Sequence, residues 1–465
     1  MANTYKWMGQ SVGALKDRPV SELQEAFHKW IQLPDCSEKH GRERLFTTAR
    51  TFWLFLSQIL SEKSSCREAV RRFLAWLALE AERGASPNTA AYCKARARLE
   101  QKYLKEINGQ IVTTALAAET EKNLWHGHRV KVIDGSGISM PDTPENQKVW
   151  PQPKGAKPGC SYPVIRMVAV FSLATGALIA MAKGRLKVSE RNLFRRLWDR
   201  FEPNDVALAD RGFCGYADFY FLVRRGVACV MRNNQRRMVG ISLVKRINKN
   251  DRLVEWHKMR PCPKWLDKKA WDAVPERMTV REVTFSVDIP GFRTERIIIV
   301  TTLLDLKKYT ASDFTDLYLR RWRAELYLRD IKTTMGMDIL TCKTPKMINK
   351  ELQMYLIAYN LIRLLMQEAS CTYGTPPDRI SFMGVIATVR TWAIALVCRG
   401  LSRAKRALLY ELMLLYIIKD QLPIRQCRSE PRAKKRRPKS YQLLTKPRHL
   451  FKEVPHKSKY SKLLS

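Results

Sequence analysis

Hydrophobic periodicity divides the chain into a helical beginning, a mixed centre and a helical end. Residues 1–125 carry apolar residues at helical spacing, as in Ala49–Leu60 and Val70–Leu79. In the centre, short apolar runs typical of strands alternate with amphipathic segments typical of helices. Residues 349–368 and 376–399 return to helical spacing. The pattern predicts a mixed fold with helices at both ends.

Two helix boundaries in the first region are marked by capping residues. Ser65-Cys-Arg-Glu68 has the spacing of a capping box. Arg83-Gly84-Ala-Ser86-Pro87 predicts the end of that helix and the start of another, with Ser86 as the N-cap and Pro87 in the first turn. The second helix, predicted from Asn88 to near Ile107, carries the basic side chains Lys94, Arg96, Arg98 and Lys102. The pair resembles a helix-turn-helix that contacts DNA, and an ordinary helical bundle explains the pattern equally well.

The centre begins with strands and continues as alternating strands and helices. The predicted strands are 129–134, 164–173, 176–186, 205–210 and 227–233, and the predicted helices are 189–201 and 215–225. The segment Pro141–Pro163 is predicted to be an ordered surface loop, in which Lys154 and Lys157 could touch DNA.

The charge of the chain indicates a polyanionic partner. Its 465 residues include 83 Lys and Arg against 44 Asp and Glu, a net charge of +39, and 45% of them are hydrophobic. A compact fold with that charge repels itself unless a polyanion neutralises it, which favours nucleic acid over a membrane surface. The 11 cysteines form no CxxC pair and predict reduced thiols. No signal peptide or membrane span is predicted, so we expect a cytoplasmic protein that acts on the chromosome.

Two aspartates follow predicted strands in the centre. Asp134 ends the apolar run from Val130, Asp210 ends the run from Asp205, and a glycine turn follows each. In an open α/β sheet the active crevice lies at the carboxyl ends of the strands. Aspartates there can form an all-oxygen site for hard divalent cations. Taken singly, such an aspartate more often caps a turn or a helix.

A third carboxylate, Glu325, lies in a segment predicted to be one helix. Tyr318, Arg321, Glu325 and Lys332 stand at offsets of 0, 3, 7 and 14. At about 100° per residue, these offsets fall within a stripe roughly 60° wide. One carboxylate, two cations and a phenol on one face suit a metal ion beside a phosphate. The alternative is a solvated face with an Arg321–Glu325 ion pair, which contributes a few tenths of a kcal/mol.

The four residues of that stripe also carry a family signature. Hairpin-forming, cut-and-paste transposases of bacterial insertion sequences, in the family numbered four, share a signature. It consists of Tyr, two residues, Arg, three residues, Glu, six residues and Lys. The chain resembles these DDE transposases approximately from Leu45 to Leu365. The matching segments include Asp134-Gly-Ser-Gly-Ile-Ser-Met-Pro-Asp and Ala209-Asp210-Arg-Gly-Phe.

The resemblance implies a fold class of α+β or α/β type. An RNase H-like catalytic core would be interrupted by a β-rich insertion and flanked by an all-helical N-terminal domain and a helical, basic C-terminal region. Asp134, Asp210 and Glu325 would form a catalytic triad that binds two Mg²⁺ ions, for which Mn²⁺ would substitute.

The function implied by the resemblance is DNA transposition. The protein would bind the terminal inverted repeats of its element, and a homodimer would hold both double-stranded ends in a synaptic complex. Hydrolysis, hairpin formation and strand transfer into target DNA would all be in-line displacements at phosphorus. Tyr318, Arg321 and Lys332 would hold the DNA strand near the scissile phosphate. Two alternatives remain: a structure-selective nuclease on the same core, and a catalytically retired DNA-binding protein derived from a transposase.

Residues 235–300 exceed a minimal core and predict the insertion, with strands at 278–288 and 294–304 around the turn Pro290-Gly291. In the resembled family, an aromatic residue from this region stacks on a base that is flipped out as the hairpin forms. The candidates in this chain are Trp256, Trp265, Trp271 and Phe292. The alternative for each is packing in the core of the insertion.

The chain is thus predicted to contain six segments. They are 1–125, the helical N-terminal DNA-binding domain; 126–234, the first part of the core; 235–300, the insertion; 301–345, the rest of the core with the catalytic helix; 346–424, the C-terminal helical region; and 425–465, a basic tail. The tail contains Arg432-Ala-Lys-Lys-Arg-Arg-Pro-Lys439, a cluster that predicts nonspecific phosphate binding.

Overall fold

The structure is a computed structural model. It describes residues 22–33, 44–62, 65–79, 86–155, 157, 159–233, 240–287, 295–398, 400–423, 446 and 450–451. Several predictions therefore lie outside the described residues. They concern Arg83-Gly84-Ala, Pro290-Gly291, Phe292 and nearly all of the basic tail.

The described helices are numbered α1 to α14 and the strands β1 to β9. The helices are Glu22–Phe27, Thr48–Leu60, Cys66–Leu79, Ala90–Arg98, Gln101–Ala117, Pro144–Val149, Glu190–Arg195, Tyr216–Arg224, Lys268–Asp272, Ala311–Arg320, Arg323–Arg329, Pro345–Tyr373, Phe382–Leu396 and Arg403–Lys419. The strands are Arg129–Ser139, Val164–Ser172, Leu178–Arg185, Asp205–Ala209, Ala228–Arg232, Ile241–Asn248, Asp251–His257, Arg277–Val287 and Glu295–Thr301.

All the described strands belong to one mixed sheet with the order β3-β2-β1-β4-β5-β9-β8-β7-β6. Strands β1, β2 and β3 pair antiparallel, and β4 and β5 run parallel to β1. Strand β9 pairs antiparallel with β5, so the strands of the predicted insertion continue the same sheet. The prediction of a mixed fold of helices and strands is confirmed. The domain boundaries remain a prediction.

Helices cover both faces of the sheet, because the central strands are apolar on both sides. Val132 and Leu208 point into one core, which the N-terminal and C-terminal helices share. Their neighbours Ile133 and Ala207 point into a second core, to which α7 contributes Phe194 and α8 contributes Phe219. The alternation of side chains along a strand therefore assigns each residue of β1 and β4 to one of two chemically separate faces.

The long helix α12 joins the N-terminal helices to the sheet. It begins at Pro345 after the cap residue Thr344 and ends at Gly374, whose φ of 72° favours glycine. Its middle is buried, and Asn360 exchanges hydrogen bonds of 2.8 and 3.1 Å with the backbone of Leu178 in β3. Among the described residues, no helix combines the length and the apolar character needed to cross a bilayer.

The predicted helix from Asn88 is two helices. α4 and α5 are separated because Leu99 and Glu100 adopt extended ψ angles of 123° and 137°. Ser86 is not the N-cap of α4: Thr89 occupies that position, and the Ser86 hydroxyl accepts from the Asn88 N–H at 3.2 Å. The Ser65 cap is confirmed by a 3.1 Å bond from the N–H of Glu68 to the Ser65 hydroxyl.

One of the basic residues predicted to contact DNA is buried. The guanidinium of Arg96 lies 4.0 Å from the centre of the Phe55 ring and donates to the sulfurs of Cys66 and Cys342. The side chain thus joins α4 to the core and is not available to DNA. Lys94, Arg98 and Lys102 are exposed, as the predicted contact surface requires.

Three further differences concern the centre of the chain. Strand β1 does not end at Asp134 but continues to Ser139, because residues 135–139 pair with β2. The predicted loop Pro141–Pro163 contains the short helix α6, capped by Thr143. The insertion contains two strands that the sequence did not predict, β6 and β7.

Candidate active site

Asp134 and Asp210 lie beside each other on neighbouring parallel strands. The last parallel pair of β1 and β4 is Val132 with Leu208, and each aspartate lies two residues beyond it. Two residues along a strand is one full alternation, so both carboxylates belong to the face of Val132 and Leu208. Each is half-buried. Both acids therefore lie just beyond the parallel-paired segment, Asp210 directly after the end of β4 and Asp134 within β1, which continues past it.

Each aspartate is oriented by a nearby glycine N–H. The N–H of Gly135 donates to Asp134 Oδ1 at 2.8 Å, and the N–H of Gly212 donates to Asp210 Oδ1 at 2.8 Å. A Cβ at position 212 would lie 3.0 Å from Asp210 Oδ1. The glycine thus allows the turn to close directly onto the carboxylate.

The segment from Tyr318 to Lys332 is not the single regular helix that the sequence predicts. Arg321 and Trp322 separate α10 from α11, and the N–H of Arg321 donates to the carbonyl three residues before it at 3.0 Å. After α11 the backbone widens into a π turn at Asp330–Thr334, closed by a 3.0 Å bond from the N–H of Met335. Tightening and then widening change the angle per residue, whereas the predicted regular helix keeps it constant.

Arg321 and Glu325 form the ion pair that the spacing predicts. Arg321 Nη2 lies 3.1 Å from Glu325 Oε1. The Glu325 side chain is 59% exposed, whereas Arg321 is buried and its guanidinium lies 5.6 Å from the centre of the Tyr318 ring. Tyr318 itself is only 4% exposed. Arg321 therefore fixes the position of an acid that otherwise extends into solvent.

Lys332 connects the π turn to β1. Its Nζ donates to the hydroxyl of Ser136 at 2.6 Å. Ser136 lies two residues after Asp134 and on the same face of the strand. Ser136 was not predicted from the sequence, because the predicted strand ended at Asp134.

Like charges surround Asp134. The pKa of Asp134 is raised from its ordinary value of 3.8 to about 6, and burial is the largest cause. The carboxylates of Asp210 and Glu325 also contribute to this rise, whereas the N–H of Gly135 and the guanidinium of Arg321 oppose it. Perturbation of this kind, by burial and by neighbouring acids in a crevice, is typical of functional sites.

The donor set of the three acids fits a hard divalent cation, because carboxylate oxygens are its preferred ligands. Within the described part of the chain, no three His, Cys, Asp or Glu side chains lie close enough to hold one ion as they stand. Glu325 accepts from Arg321 instead. The carboxylate donors fit the implied metal. In this structure the ion pair with Arg321 determines the position of Glu325.

Two of the four aromatic candidates are core residues. Trp256 is fully buried and Trp271 is buried in the same cluster. Both pack as the alternative interpretation predicts, and a base could reach neither without opening that core. Trp265 is partly buried, with the guanidinium of Arg195 3.8 Å from its ring centre. Phe292 lies outside the described residues.

A second ion pair supports the π turn and was not predicted. Arg363 Nη2 donates to Asp330 Oδ2 at 2.5 Å, and Arg363 Nε donates to the Tyr359 hydroxyl at 3.0 Å. Both charged side chains are buried. A single arginine within the apolar run Leu361–Met366 was the available signal, because an isolated buried charge needs a partner.

Comparison with known proteins gives the same family as the signature. The Transposase DDE domain family matches residues 125–361. Transposase InsG for insertion sequence element IS4 from Escherichia coli (strain K12) is 27% identical over 406 residues, which cover 86% of this chain and 88% of InsG.

A cryo-EM structure of a piggyBac transposase synaptic complex with hairpin DNA is also similar. It is 10% identical, covers 85% of this chain and 82% of its own, and gives a TM-score of 0.43. A likeness of that size carries no argument. The DDE domain match, by contrast, spans just over half of the chain and contains all three acids. The chain therefore belongs to the DDE transposases of the IS4 family.

Proposed function

We propose that this transposase cuts and rejoins DNA at a site formed by Asp134, Asp210 and Glu325. The observation that carries the proposal is the hydrogen bond from Lys332 to Ser136, at 2.6 Å. It brings the segment that carries Glu325 to the strand that carries Asp134. We infer that three acids from separate parts of the chain then share one site beside the parallel strands.

We infer that the three acids hold two Mg²⁺ ions, for which Mn²⁺ substitutes. When bound, such ions supply Lewis acidity to the attacking and leaving oxygens of an in-line displacement at phosphorus. Glu325 would have to exchange its contact with Arg321 for a contact with metal. Its exposed side chain leaves room for that rotation.

Three residues beside the acids are suited to hold the DNA strand. Arg321 Nε is buried and has no hydrogen-bond partner among the described atoms, so a donor remains for a phosphate oxygen. Lys332 would act as a point charge, and Tyr318 would donate through its hydroxyl. Burial raises the pKa of Tyr318, which keeps the phenol protonated as a donor needs.

Double-stranded DNA is the proposed partner, as both transposon ends and target. A net charge of +39 supports this inference, because phosphate neutralises it. We infer a homodimer in the synaptic complex. We also infer an RNase H-like core, and the order of three antiparallel strands followed by two parallel strands supports it. Residues 1–125 would recognise the inverted repeats, and the tail from Arg425 would add affinity for any sequence.

The test follows each chemical step on a labelled transposon end with Mg²⁺. Asp134→Ala, Asp210→Ala and Glu325→Ala should each abolish nicking, hairpin formation and strand transfer. End binding, measured by gel shift, should remain. Asp316→Ala is the matched control, because it removes an exposed acid from α10.

Full cleavage by any one of the three triad variants would refute the assignment. Cleavage by the unaltered protein without transfer of the 3′ end would instead identify a nuclease. Hairpin formation is tested in the same assay, because its product migrates separately from the nicked strand.

A further inference from the structure

Helix α7 begins beside Gly135 and Gly212, the two glycines whose N–H groups orient the aspartates, on the opposite face of the sheet from α11. Ser189 caps the helix by accepting from the N–H of Asn192 at 3.2 Å, which places Glu190 and Arg191 in the first turn. A Cβ at Gly135 would lie 2.5 Å from the carboxyl carbon of Glu190. The start of α7 thus lies against the glycine whose N–H orients Asp134.

Arg191 makes hydrogen bonds with the turn that follows Asp210. Its Nε and Nη2 donate to the carbonyl of Gly212 at 3.2 and 3.0 Å, and Nη2 also donates to the carbonyl of Cys214 at 3.1 Å. One guanidinium therefore bridges two carbonyls of a single turn. The planar, rigid arrangement of its donors makes this possible.

Gly212 links that guanidinium to the catalytic carboxylate. Its carbonyl accepts from Arg191, and its N–H donates to Asp210 Oδ1 at 2.8 Å. One residue is thus held by arginine on one side and orients the acid on the other. A change in the position of Gly212 would directly move the hydrogen bond that fixes Asp210.

The Arg191 guanidinium also lies close to a buried carboxylate. The carboxylate of Asp218 is buried, lies 3.9 Å from Arg191 Nε, and pairs with Arg195 at 2.6 Å. A Cβ at Gly215 would lie 2.5 Å from Asp218 Oδ2 and 3.1 Å from Arg191 Nη1. The turn can approach the two charged groups because position 215 has no side chain.

We infer that Arg191 is a positioning residue of the transposase, which holds Gly212 so that the Asp210 carboxylate faces Asp134. The inference rests on the proposed function, in which Asp210 is a metal ligand. Arg191 touches neither metal nor DNA in this role and acts only through the turn. Such outer contacts commonly change metal affinity by about 10–100-fold when they are removed.

The experiment uses the full-length protein with Arg191→Ala, Arg191→Lys and the control Arg196→Ala. Arg196 directly follows the last residue of α7, is exposed, and donates to the carbonyl of Lys183 at 3.4 Å, away from Gly212. The nicking rate of a labelled end is measured against Mg²⁺ concentration. Binding of Mn²⁺ to the protein without DNA is measured by electron paramagnetic resonance.

For Arg191→Ala we expect the half-saturating Mg²⁺ concentration to rise about 10-fold and Mn²⁺ binding to weaken about as much. The rate at saturating Mg²⁺ should stay within about 3-fold of the unaltered rate, because the reacting groups are intact. Arg191→Lys should recover part of the affinity through one hydrogen bond. Arg196→Ala should change neither quantity.

Gly212→Ala provides a second variant, in case Arg191→Ala does not fold. Its methyl group would press on Asp210 Oδ1 while the arginine remains, so the half-saturating Mg²⁺ concentration should rise in the same way. Unchanged metal affinity in the folded variants, or an equal loss of rate at every Mg²⁺ concentration, would overturn the inference. Cleavage by Asp210→Ala would refute the triad instead, so the two failures are distinguishable.

Discussion

The strands added beyond β5 carry buried carboxylates that are each paired with an arginine. Asp251 and Arg281 meet at 2.6 Å with both side chains buried, and Arg281 also donates to the carbonyl of Tyr309. Glu282 is buried and meets Arg252 at 2.7 Å. Each of these two buried acids therefore has an arginine partner.

Around Asp134 in β1 and Asp210 after β4, the charges are arranged in the opposite way. Asp134 has two other carboxylates as neighbours, Asp210 and Glu325, and its principal cation is Arg321. That cation is already paired with Glu325. The acids therefore repel one another in the protein alone.

The contrast separates buried ion pairs that stabilise the fold from a group of acids that repel one another. The protein loses stability when one member of a buried ion pair is removed, because the other charge is left without a partner. The protein can gain stability when an acid is removed from a group of neighbouring acids, because the repulsion between their charges disappears. Removal of one charge from a buried pair in the added strands should therefore lower stability. Removal of an acid near Asp134 should instead raise stability while it lowers activity.

The largest expected effect comes from breaking the Asp251–Arg281 pair. Arg281→Ala should lower the free energy of unfolding by about 3–5 kcal/mol, since Asp251 stays buried without a cation. Urea unfolding followed by circular dichroism measures this loss. The double variant Asp251→Leu/Arg281→Met should recover most of it. A loss below about 1 kcal/mol for Arg281→Ala would mean that water or another group compensates Asp251.

The next effect concerns Arg321, the cation of the crowded site. Arg321→Lys should slow hairpin formation by about 100-fold despite the retained charge, because lysine cannot replace two directed donors. Lys332→Arg should be milder than Lys332→Ala, because Lys332 acts as a point charge. First nicking, hairpin formation and strand transfer are followed separately on a labelled end. Equal loss at every step, with weaker Mg²⁺ binding, would assign both residues to the metal site.

A smaller effect is the pH dependence of stability that Asp134 causes. Its pKa is about 6 in the folded chain against an ordinary value of 3.8, so between these pH values the folded state holds a proton that the unfolded state has released. Stability should therefore fall as pH rises through this window. Asp134→Asn should remove that slope, as measured by melting temperature against pH in EDTA. Parallel slopes in the two proteins would contradict the crowded environment of Asp134.

The smallest effect is expected at a surface pair of the added strands. Arg277 and Glu255 lie 3.4 Å apart, with side chains that are 67% and 30% exposed. Glu255→Gln should change the free energy of unfolding by no more than about 0.5 kcal/mol, because water screens the pair. Urea unfolding beside Arg281→Ala tests whether burial, rather than pairing alone, decides the contribution of an ion pair.

The sequence predicted the central strands well, because short apolar runs bounded by glycine and polar residues specify them locally. It placed the end of β1 too early at Asp134. Gly135 and Gly137 favour a turn locally, yet pairing with β2 keeps them in the strand. The polar strand β6 was missed for a related reason, since only its pairing with β7 identifies it.

The three proposed acids could be selected from the sequence because each follows a local pattern. Their supports were not, because Lys332 with Ser136, Asp330 with Arg363, and Arg191 with Gly212 depend on which elements meet in space. Spacing on an ideal helix predicted the Arg321–Glu325 pair correctly. It could not predict the π turn, which arises where the chain leaves α11.

The antiparallel contact of β9 with β5 has a consequence for truncated forms of the chain. Val230, Met231 and Arg232 pair with residues 299–301 of β9. Removal of the insertion together with β9 would leave this apolar strand with free N–H and carbonyl groups along an open edge. Such edges template pairing between molecules and promote aggregation. We therefore expect a shortened transposase that lacks β6 to β9 to precipitate during expression, even though every acid of the site is retained.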